Sequence, residues 1–485
     1  MPERTPINCA RLAKVADPSL PLPVADRPMH PPDTVRQHAL HIARLSGPLL
    51  VSNLAMAGMM AADTIMAGQL GAVDLAAVAI GANYYYLFYV VGMGLLLALT
   101  PTIAQAVGAG RHHEVGGFFR QGLWLALALS VLVGAGLAAA PWLLPLTGAE
   151  PAVLDIATRY AAALIFGTPA AMCFLALRMG SDGIGWTRPA MYTAVIALLV
   201  NIAGNYVFMY GKFGLPRLGA VGCGVATSIT QTLIFIVMWV YVARHERYRQ
   251  YAPLAHFAWP QRERLLVLLR LGLPFAGSLL AEVSLFAIAA LMLGGLGAVV
   301  VAGHAIAINY ASLAFMVPMS ISAATTIHVG QLVGAGTTLE ARRAGWTGAG
   351  LCIAIMLCSA LFILLARAWI ARLYTTDVAV ATLATTLLVY AGVFQVADGT
   401  QVGVAGALRG FKEARVPFLI CVGAYWLIGF PLAWYLGFAR EAGAPGVWIG
   451  FSVGLFAAAG LLTWRWLAIG AQPQALAGSS HRESG

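Results

Sequence analysis

The chain has 485 residues, of which 60% are hydrophobic and only 10% are charged, and its formal net charge is +10. Soluble proteins are about 25% charged, and the mean hydropathy here is +0.80, so the composition excludes a soluble protein and indicates an integral membrane protein. Apolar runs of about 20 residues recur along the chain, which predicts transmembrane helices and excludes a β-barrel, whose segments alternate over about ten residues.

The polar, Pro-rich segment 1–36 precedes the first apolar run and shows no cleavable signal pattern. We therefore expect a disordered cytoplasmic arm over 1–36 and an uncleaved anchor in the first span. A disordered cytoplasmic tail is predicted over 469–485. Between them the sequence predicts twelve transmembrane helices, at about 42–66, 76–98, 117–140, 158–178, 190–210, 221–243, 268–292, 302–325, 345–366, 382–406, 417–438 and 446–468.

The basic residues fix a predicted orientation. With the N-terminus inside, 23 of the 29 Lys and Arg fall on the cytoplasmic side, and six (Arg159, Lys212, Arg217, Arg367, Arg372, Arg440) fall outside. This positive-inside bias predicts that both termini are cytoplasmic. It also argues against a nucleic-acid partner, and it places the basic segment 244–267 against anionic lipid heads. No P-loop motif occurs, so direct drive by ATP is not expected.

The sequence repeats itself at an offset of 226 residues. Over 44–110 against 270–336, without a gap, 28 of 67 aligned pairs are identical, among them Arg44 with Arg270, Pro48 with Pro274 and Gln105 with Gln331. Each half holds six spans, so the halves enter the membrane from the same side. This parallel repeat predicts an N-lobe over 37–243, a cytoplasmic linker over 244–267 and a C-lobe over 268–468, with a substrate path between the lobes.

Three carboxylates lie within predicted spans: Asp63, Glu282 and Asp398. A charge at membrane depth costs several kcal/mol unless it is paired, protonated or hydrated, and none of the three has a Lys or Arg on a neighbouring helical turn. Counting from Arg270 and Arg409 places Glu282 and Asp398 about 18 and 16 Å into the membrane, where they can share one site. Asp63 lies about 28 Å beyond Arg44, toward the outside.

Polar residues follow these carboxylates at helical spacing. Gln395 lies three residues before Asp398, Ser278 lies four before Glu282, and the pair Asn201 and Asn205 presents one amide face that can meet Asp63. Such oxygens suit Na⁺, with Glu282 and Asp398 as the candidate ligands, whereas a dry carboxylate suits H⁺.

Structural interpretations stay open for each of these residues. Asp63 can be a snorkelling residue near a helix end, Glu282 and Asp398 can share a proton and join helices, and the asparagines can only bond neighbouring helices. For Pro48 and Pro274, a bending point and simple capping of a span start explain the positions equally well.

Several motifs together resemble a known family. The segments "AADTIMAGQLG" from 61, "VGAGR" from 107, "LGAVGCGVAT" from 218, "EVSLFAIAALM" from 282 and "DGTQVGVAGALRGFK" from 398 are similar to the multidrug and toxic compound extrusion (MATE) transporters, most of all the bacterial NorM type. The resemblance runs from about residue 36 to 468. NorM-type sequences tend to carry Tyr shortly before the tenth-helix Asp, where this chain has Phe394.

The resemblance implies two six-helix lobes around a cavity that opens to one side at a time. It implies export of amphipathic, often cationic compounds in exchange for Na⁺ or H⁺, without a cofactor, in the bacterial inner membrane, and a monomer is the simplest assembly. It also implies that Asp63 is the family's N-lobe Asp, with Asn201 and Asn205 as polar positions near it, and that Glu282 and Asp398 are its C-lobe cation-site carboxylates.

Three rival functions are weighed against this one. A lipid-linked oligosaccharide flippase of related architecture would need cationic residues in its cavity, and Arg and Lys are not expected at membrane depth here. An embedded aspartyl protease can use two carboxylates but does not explain the repeat. A channel is disfavoured because no repeated pore loop occurs.

Overall fold

The computed structural model describes residues 34–471, with side chains to residue 469. Within that range the chain forms helices and connections and no strand. Twelve helices are long and apolar enough to cross a membrane. They are α1 (Val35–Gly68), α2 (Ala72–Gly108), α3 (His112–Ala138), α4 (Pro151–Gly183), α5 (Arg188–Tyr210), α6 (Ala220–Arg244), α7 (Arg262–Gly294), α8 (Ala298–Gly334), α9 (Thr338–Tyr374), α10 (Val378–Gly410), α11 (Arg415–Ala439) and α12 (Gly443–Ala471).

Each predicted span corresponds to one helix, but several helices are longer than predicted. The prediction ended α2 at 98 and α8 at 325, whereas the helices run to Gly108 and Gly334. Hydropathy marks only the part of a helix that lies in lipid, while backbone hydrogen bonding continues beyond it. Both helices stop just before a left-handed glycine, Gly110 at φ +70° and Gly336 at φ +78°, a conformation that ends helices and that glycine adopts without strain.

The chain divides into two six-helix lobes, as the repeat predicts. The N-lobe comprises α1–α6 and the C-lobe α7–α12, and the largest clusters of buried apolar residues lie one mainly in each lobe. The exact lobe boundaries stay a prediction. The predicted disordered ends fall mostly outside the described residues, although 35–36 and 469–471 belong to helices, contrary to the prediction.

The lobes contact each other at one end of the molecule, which carries the connections 109–111, 184–187, 335–337 and 411–414. We call it the basic end. There α2 and α8 cross so closely that a Cβ on Gly108 would overlap the backbone carbonyl of Gln331, and a Cβ on Gly334 would overlap that of Gln105. In the internal repeat Gly108 is equivalent to Gly334, and Gln105 is equivalent to Gln331. The contact between α2 and α8 therefore has approximate twofold symmetry.

The linker between the lobes packs on the start of α3. The indole of Trp124 donates to the Ala258 carbonyl at 2.9 Å, and Gln121 donates to the Trp259 carbonyl at 3.1 Å. The Gln121 side chain also accepts from the backbone N–H of Gln261 at 2.8 Å. Side-chain bonds to backbone hold this segment in place; its contact with lipid heads stays a prediction.

Candidate functional site

The N-lobe carboxylate lies in a group of buried amides. Asn205 on α5 donates from Nδ2 to Oδ1 of Asp63 on α1 at 2.6 Å, and to Oδ1 of Asn201 at 3.2 Å. Asn201 in turn donates to the hydroxyl of Thr227 on α6 at 3.3 Å. Both asparagines are fully buried because their i,i+4 spacing turns them to one face of α5. The structure therefore brings three predicted residues together and links α1, α5 and α6 through them.

The C-lobe carboxylates lie on different helices. Asp398 on α10 is 4% exposed, and Glu282 on α7 is near enough for the two charges to interact. The phenol of Tyr425 on α11 is fully buried and lies within electrostatic range of both. The three helices therefore enclose two carboxylates and a phenol in one polar region of the C-lobe.

Unpaired amides surround Asp398 on its own helix. Gln395 is fully buried, and neither its Oε1 nor its Nε2 has a hydrogen-bond partner within residues 34–471. The Oε1 of Gln401, three residues after Asp398, is also buried and has no hydrogen-bond partner within these residues. A buried polar group without a partner costs about 1–3 kcal/mol. Such groups beside a carboxylate favour a ligand, an ion or water at that place.

Ser278 and the two prolines differ in part from expectation. The Ser278 hydroxyl donates to the carbonyl of Pro274 at 3.0 Å, so its proton is used within α7, and only its oxygen lone pairs remain for an ion. Pro48 and Pro274 lie inside α1 and α7, 13 and 12 residues from the first residue. The interpretation that they cap span starts is therefore wrong, whereas the interpretation as bending points stays a prediction.

Two arginines within the spans were missed by sequence reasoning. Arg178 on α4 lies 3.9 Å from the carboxylate of Asp182, which is buried at 8% exposure rather than at a free helix end. Arg409 turns back along α10 and donates to the Ser322 hydroxyl at 2.8 Å, within electrostatic range of Glu282. The sequence analysis did not expect these partly buried guanidiniums between the helices. The i,i+4 spacing of Arg178 and Asp182 was a usable signal, but the reach of Arg409 was not visible in the sequence.

Other neighbours of the carboxylates also escaped the sequence analysis. Thr227 and Cys223, on α6, lie in the Asp63 group, and Tyr425 lies in the C-lobe region. Gln401 had a signal, since it is three residues from Asp398 on the same helix. The residues on other helices had none, because nothing in one sequence shows which helices are neighbours.

Phe394 occupies an aromatic cluster rather than an open ligand position. Its ring is 4% exposed and lies edge-to-face with Phe286 at 6.0 Å and with Trp448 at 6.1 Å between centroids. Edge-to-face pairs add about 0.5–1.5 kcal/mol beyond area burial. The departure from tyrosine therefore suits the apolar surroundings of this ring.

The described residues contain no group of three or more His, Cys, Asp or Glu with the geometry of a metal centre. Each polar region instead combines one or two carboxylates with neutral amides, hydroxyls or a phenol. A single or double carboxylate with neutral oxygens suits a monovalent cation, and a carboxylate removed from water suits a proton.

Comparison with known proteins decides the family. The sequence profile of the MatE family matches residues 48–207 and again 274–435, so the two matches begin 226 residues apart, at the offset of the internal repeat. The chain belongs to the MATE family. MATE proteins are membrane transporters, so this chain is a multi-pass transporter and not an enzyme, and the aspartyl protease alternative is wrong.

Curated relatives match over nearly their whole length. The chain is 41% identical over 438 residues to a multidrug resistance protein NorM of Vibrio vulnificus, covering 89% of this chain and 96% of that protein. It is 40% identical over 438 residues to the multidrug resistance protein MdtK of Edwardsiella ictaluri, with the same coverage. The NorM type indicated by the motifs is therefore confirmed.

Solved structures of MATE transporters share the fold. A eukaryotic MATE transporter superposes with a TM-score of 0.82 at 21% identity, covering 90% of this chain and 96% of that one. An outward-facing MATE multidrug transporter superposes with a TM-score of 0.81 at 23% identity, covering 90% and 97%. At these identities the likeness concerns the fold, and it agrees with the two-lobe arrangement described above.

Proposed function

We propose that this MATE protein is a secondary active multidrug exporter, which moves amphipathic, often cationic compounds outward in exchange for inward Na⁺ or H⁺. The observation that carries the proposal is the pair of the partly buried Glu282 and the buried Asp398, with the unpaired amide of Gln395 and the unpaired Oε1 of Gln401 beside it. The names of the NorM and MdtK relatives support drug export. A lipid-linked oligosaccharide as substrate is not favoured, because Arg178 and Arg409 are held by Asp182 and Ser322.

Lobe closure at the basic end supports alternation between two states. Between the lobes, Asn53 on α1 donates to Ser320 on α8 at 3.0 Å, and Gln105 on α2 donates to the Gly410 carbonyl at 2.9 Å. Glu282 is within electrostatic range of Tyr86 on α2, so this carboxylate lies beside the lobe interface. We place the basic end in the cytoplasm of the bacterial inner membrane, by the positive-inside rule, and the closed state then faces outward.

The coupling follows from charge. An ion from the outside enters the outward-facing state and neutralises the C-lobe pair, or Asp63, and the change in charge and packing displaces a bound cationic compound outward. The ion-loaded protein then opens at the basic end, releases the ion and accepts new substrate. Such coupling requires that each ligand bind the two states with different affinity. The transporter needs one chain for this cycle, and we propose that it acts as a monomer.

Efflux driven by defined gradients tests the proposal. Purified protein in lipid vesicles is loaded with a fluorescent amphipathic cation, and efflux is followed under a Na⁺ gradient or a pH gradient. We expect Asp398→Asn to lose ion-driven efflux by about tenfold or more, as charge removal at a coupling site does, while inserting normally. The matched control is Asp155→Asn, which changes an exposed carboxylate that pairs with Arg159 on the same helix.

The outcomes assign the ion. Efflux that follows Na⁺ and is lost in Asp398→Asn makes the C-lobe pair a sodium site. Efflux that follows only the pH gradient and is lost in Asp63→Asn moves the coupling to the N-lobe. Undiminished efflux in both variants contradicts the assigned roles.

A further inference from the structure

A group of histidines connects the two lobes at the basic end. It is separate from the carboxylates discussed above. His38 and His41 lie on α1, His328 lies on α8, and Glu340 lies on α9. The Nδ1 of His38 is 2.9 Å from Nε2 of His328, and its Nε2 is 3.1 Å from Oε2 of Glu340. His38 is fully buried and His328 is 3% exposed, so one N-lobe ring bridges two C-lobe helices.

The hydrogen bonds limit how many protons this group can hold. An ionised carboxylate only accepts, so the Nε2 of His38 donates to Glu340. Between His38 and His328 one of the facing nitrogens must carry no proton. The contact therefore forms when both rings are neutral, or when only one of the two is cationic. It cannot form when both rings are doubly protonated, because two N–H groups then face each other across 2.9 Å.

The surrounding charges oppose additional protons. On α1, the ring of His41 lies 4.3 Å from that of His328, centroid to centroid, and Arg44 is within electrostatic range of His41. On α9, Arg343 donates to Glu340 at 2.8 Å and already uses one of its carboxylate oxygens. The α2 segment that packs on α8 contributes the uncharged amide of Gln105, bonded to Gly410. A second proton would therefore enter a group that holds one carboxylate, Glu340, beside two arginines, Arg44 and Arg343. The positive charges of the arginines oppose it.

We propose that His38, His41, His328 and Glu340 form a proton-binding lock, which holds the lobes together at the basic end and is released when the imidazoles of His38 and His328 are both cationic. This inference rests on the proposed alternation between two states and adds its control by pH. A solvated imidazole takes up a proton near pH 6.5. Opening of the basic end exposes these rings to water, so acidification through that range favours the open state and neutral pH favours the closed one.

The lock is tested by the distance between the lobes rather than by transport. Spin labels are placed at His113→Cys in the N-lobe and Ala335→Cys in the C-lobe, both exposed positions at the basic end. The background carries Cys9→Ser and Cys358→Ser, because Cys358 is exposed. Distance distributions are recorded in lipid nanodiscs from about pH 8 to about pH 5.5, a window that spans imidazole titration. Na⁺ and an amphipathic cation are added in separate samples.

We expect the fraction of molecules open at the basic end to rise about fivefold or more on acidification. In His328→Gln the amide still donates and accepts but does not titrate, so this rise should shrink to less than about twofold. The control His304→Gln changes a buried histidine on the same helix, whose ring packs on Trp448, and should keep the full response. His38→Gln provides a second variant if His328→Gln is not recovered folded.

The outcomes separate the lock from the transport cycle. An unchanged pH response in His328→Gln and His38→Gln overturns the lock, as does wild-type protein that moves with Na⁺ or substrate but not with pH. Distances that no condition changes overturn both the lock and the proposed alternation.

Discussion

At the scale of the residue, the chain compensates the carboxylates within its spans in two different ways. Asp63 has a direct amide donor, Asn205 at 2.6 Å, which compensates a carboxylate removed from water. Asp398 has an acidic neighbour, Glu282, and amides without partners, so it is compensated less well. A carboxylate without hydrogen-bond donors among the described residues, such as Asp398, is stabilised when a cation binds beside it. It therefore suits an ion that binds in one part of the transport cycle and leaves in another.

Lys412 is a strained and partly buried residue at the basic end. It follows α10 with a left-handed backbone, at φ +58°. Burial, followed by repulsion from Arg111, lowers the pKa of its ammonium to about 8. Lysine in an unfolded chain has a pKa near 10.4. The folded state therefore binds fewer protons than the unfolded state between about pH 8 and pH 10.4, and stability increases with pH across this window.

We expect Lys412→Met to raise the apparent unfolding temperature by about 1–3 °C at pH 7, because it removes the cost of the buried charge and keeps the apolar stem. The gain should decline as pH rises to about 10, where the lysine itself is mostly neutral. Thermal unfolding in detergent at several pH values measures this. Lys212→Met, which changes an exposed lysine at the opposite end, is the control, and an equal gain in both variants would refute the explanation.

At the scale of the element, the contact between α2 and α8 depends on the absence of side chains. Gly108 and Gly334 each lie against the partner helix's backbone, which cannot move aside as a flexible side chain can. Small residues permit close approach of membrane helices, and packing then supplies most of the association energy because lipid offers no hydrophobic drive.

We expect Gly334→Ala to weaken closure at the basic end. Overpacking typically costs about 1–3 kcal/mol, which would lower the ratio of closed to open molecules by a factor of about 5 to 150. The inter-lobe distance measurement with labels at 113 and 335 detects it. Gly350→Ala is the control, because a Cβ at that position on α9 meets nothing within 4 Å. A distance distribution unchanged from wild type would show that the glycine contact does not determine closure.

At the scale of the whole molecule, the duplication reproduces the scaffold but not the charges. Gln105 and Gln331 keep equivalent places in the lobe contact, whereas Asp63 aligns with Ala289 and Glu282 aligns with Met56. The lobes therefore share helix packing and differ in ion chemistry. This asymmetry allows one lobe to hold a single carboxylate among amides and the other a carboxylate pair.

The charge distribution predicts the orientation of the whole chain. The twelve spans within residues 34–471 predict that both termini lie on one side, and the positive-inside bias predicts that this side is the cytoplasm. A fluorescent protein fused after Gly485 should fluoresce, and alkaline phosphatase fused there should be inactive. Alkaline phosphatase fused after Phe213, in the connection after α5, should be active. The reverse pattern would place the basic end outside and contradict the direction of transport proposed here.

Much of this protein was determined by its sequence alone. Hydropathy gave the number and order of the twelve helices, because each span must satisfy its backbone hydrogen bonds within itself, and the 226-residue repeat gave the two lobes. Their position inside predicted spans selected Asp63, Glu282 and Asp398, and helical spacing selected several of their neighbours, since the period of a helix is local information.

Only the tertiary structure decided which residues of different helices meet. Gln105 reaches Gly410 across 305 positions, and His38 reaches His328 across 290. Helix ends at Gly108 and Gly334, the return of Arg409 to Ser322 and the burial of Asp182 were also decided at this level. The physical reason is that helix packing in a membrane depends on shape and on a few polar contacts, and neither leaves a periodic mark on a single sequence.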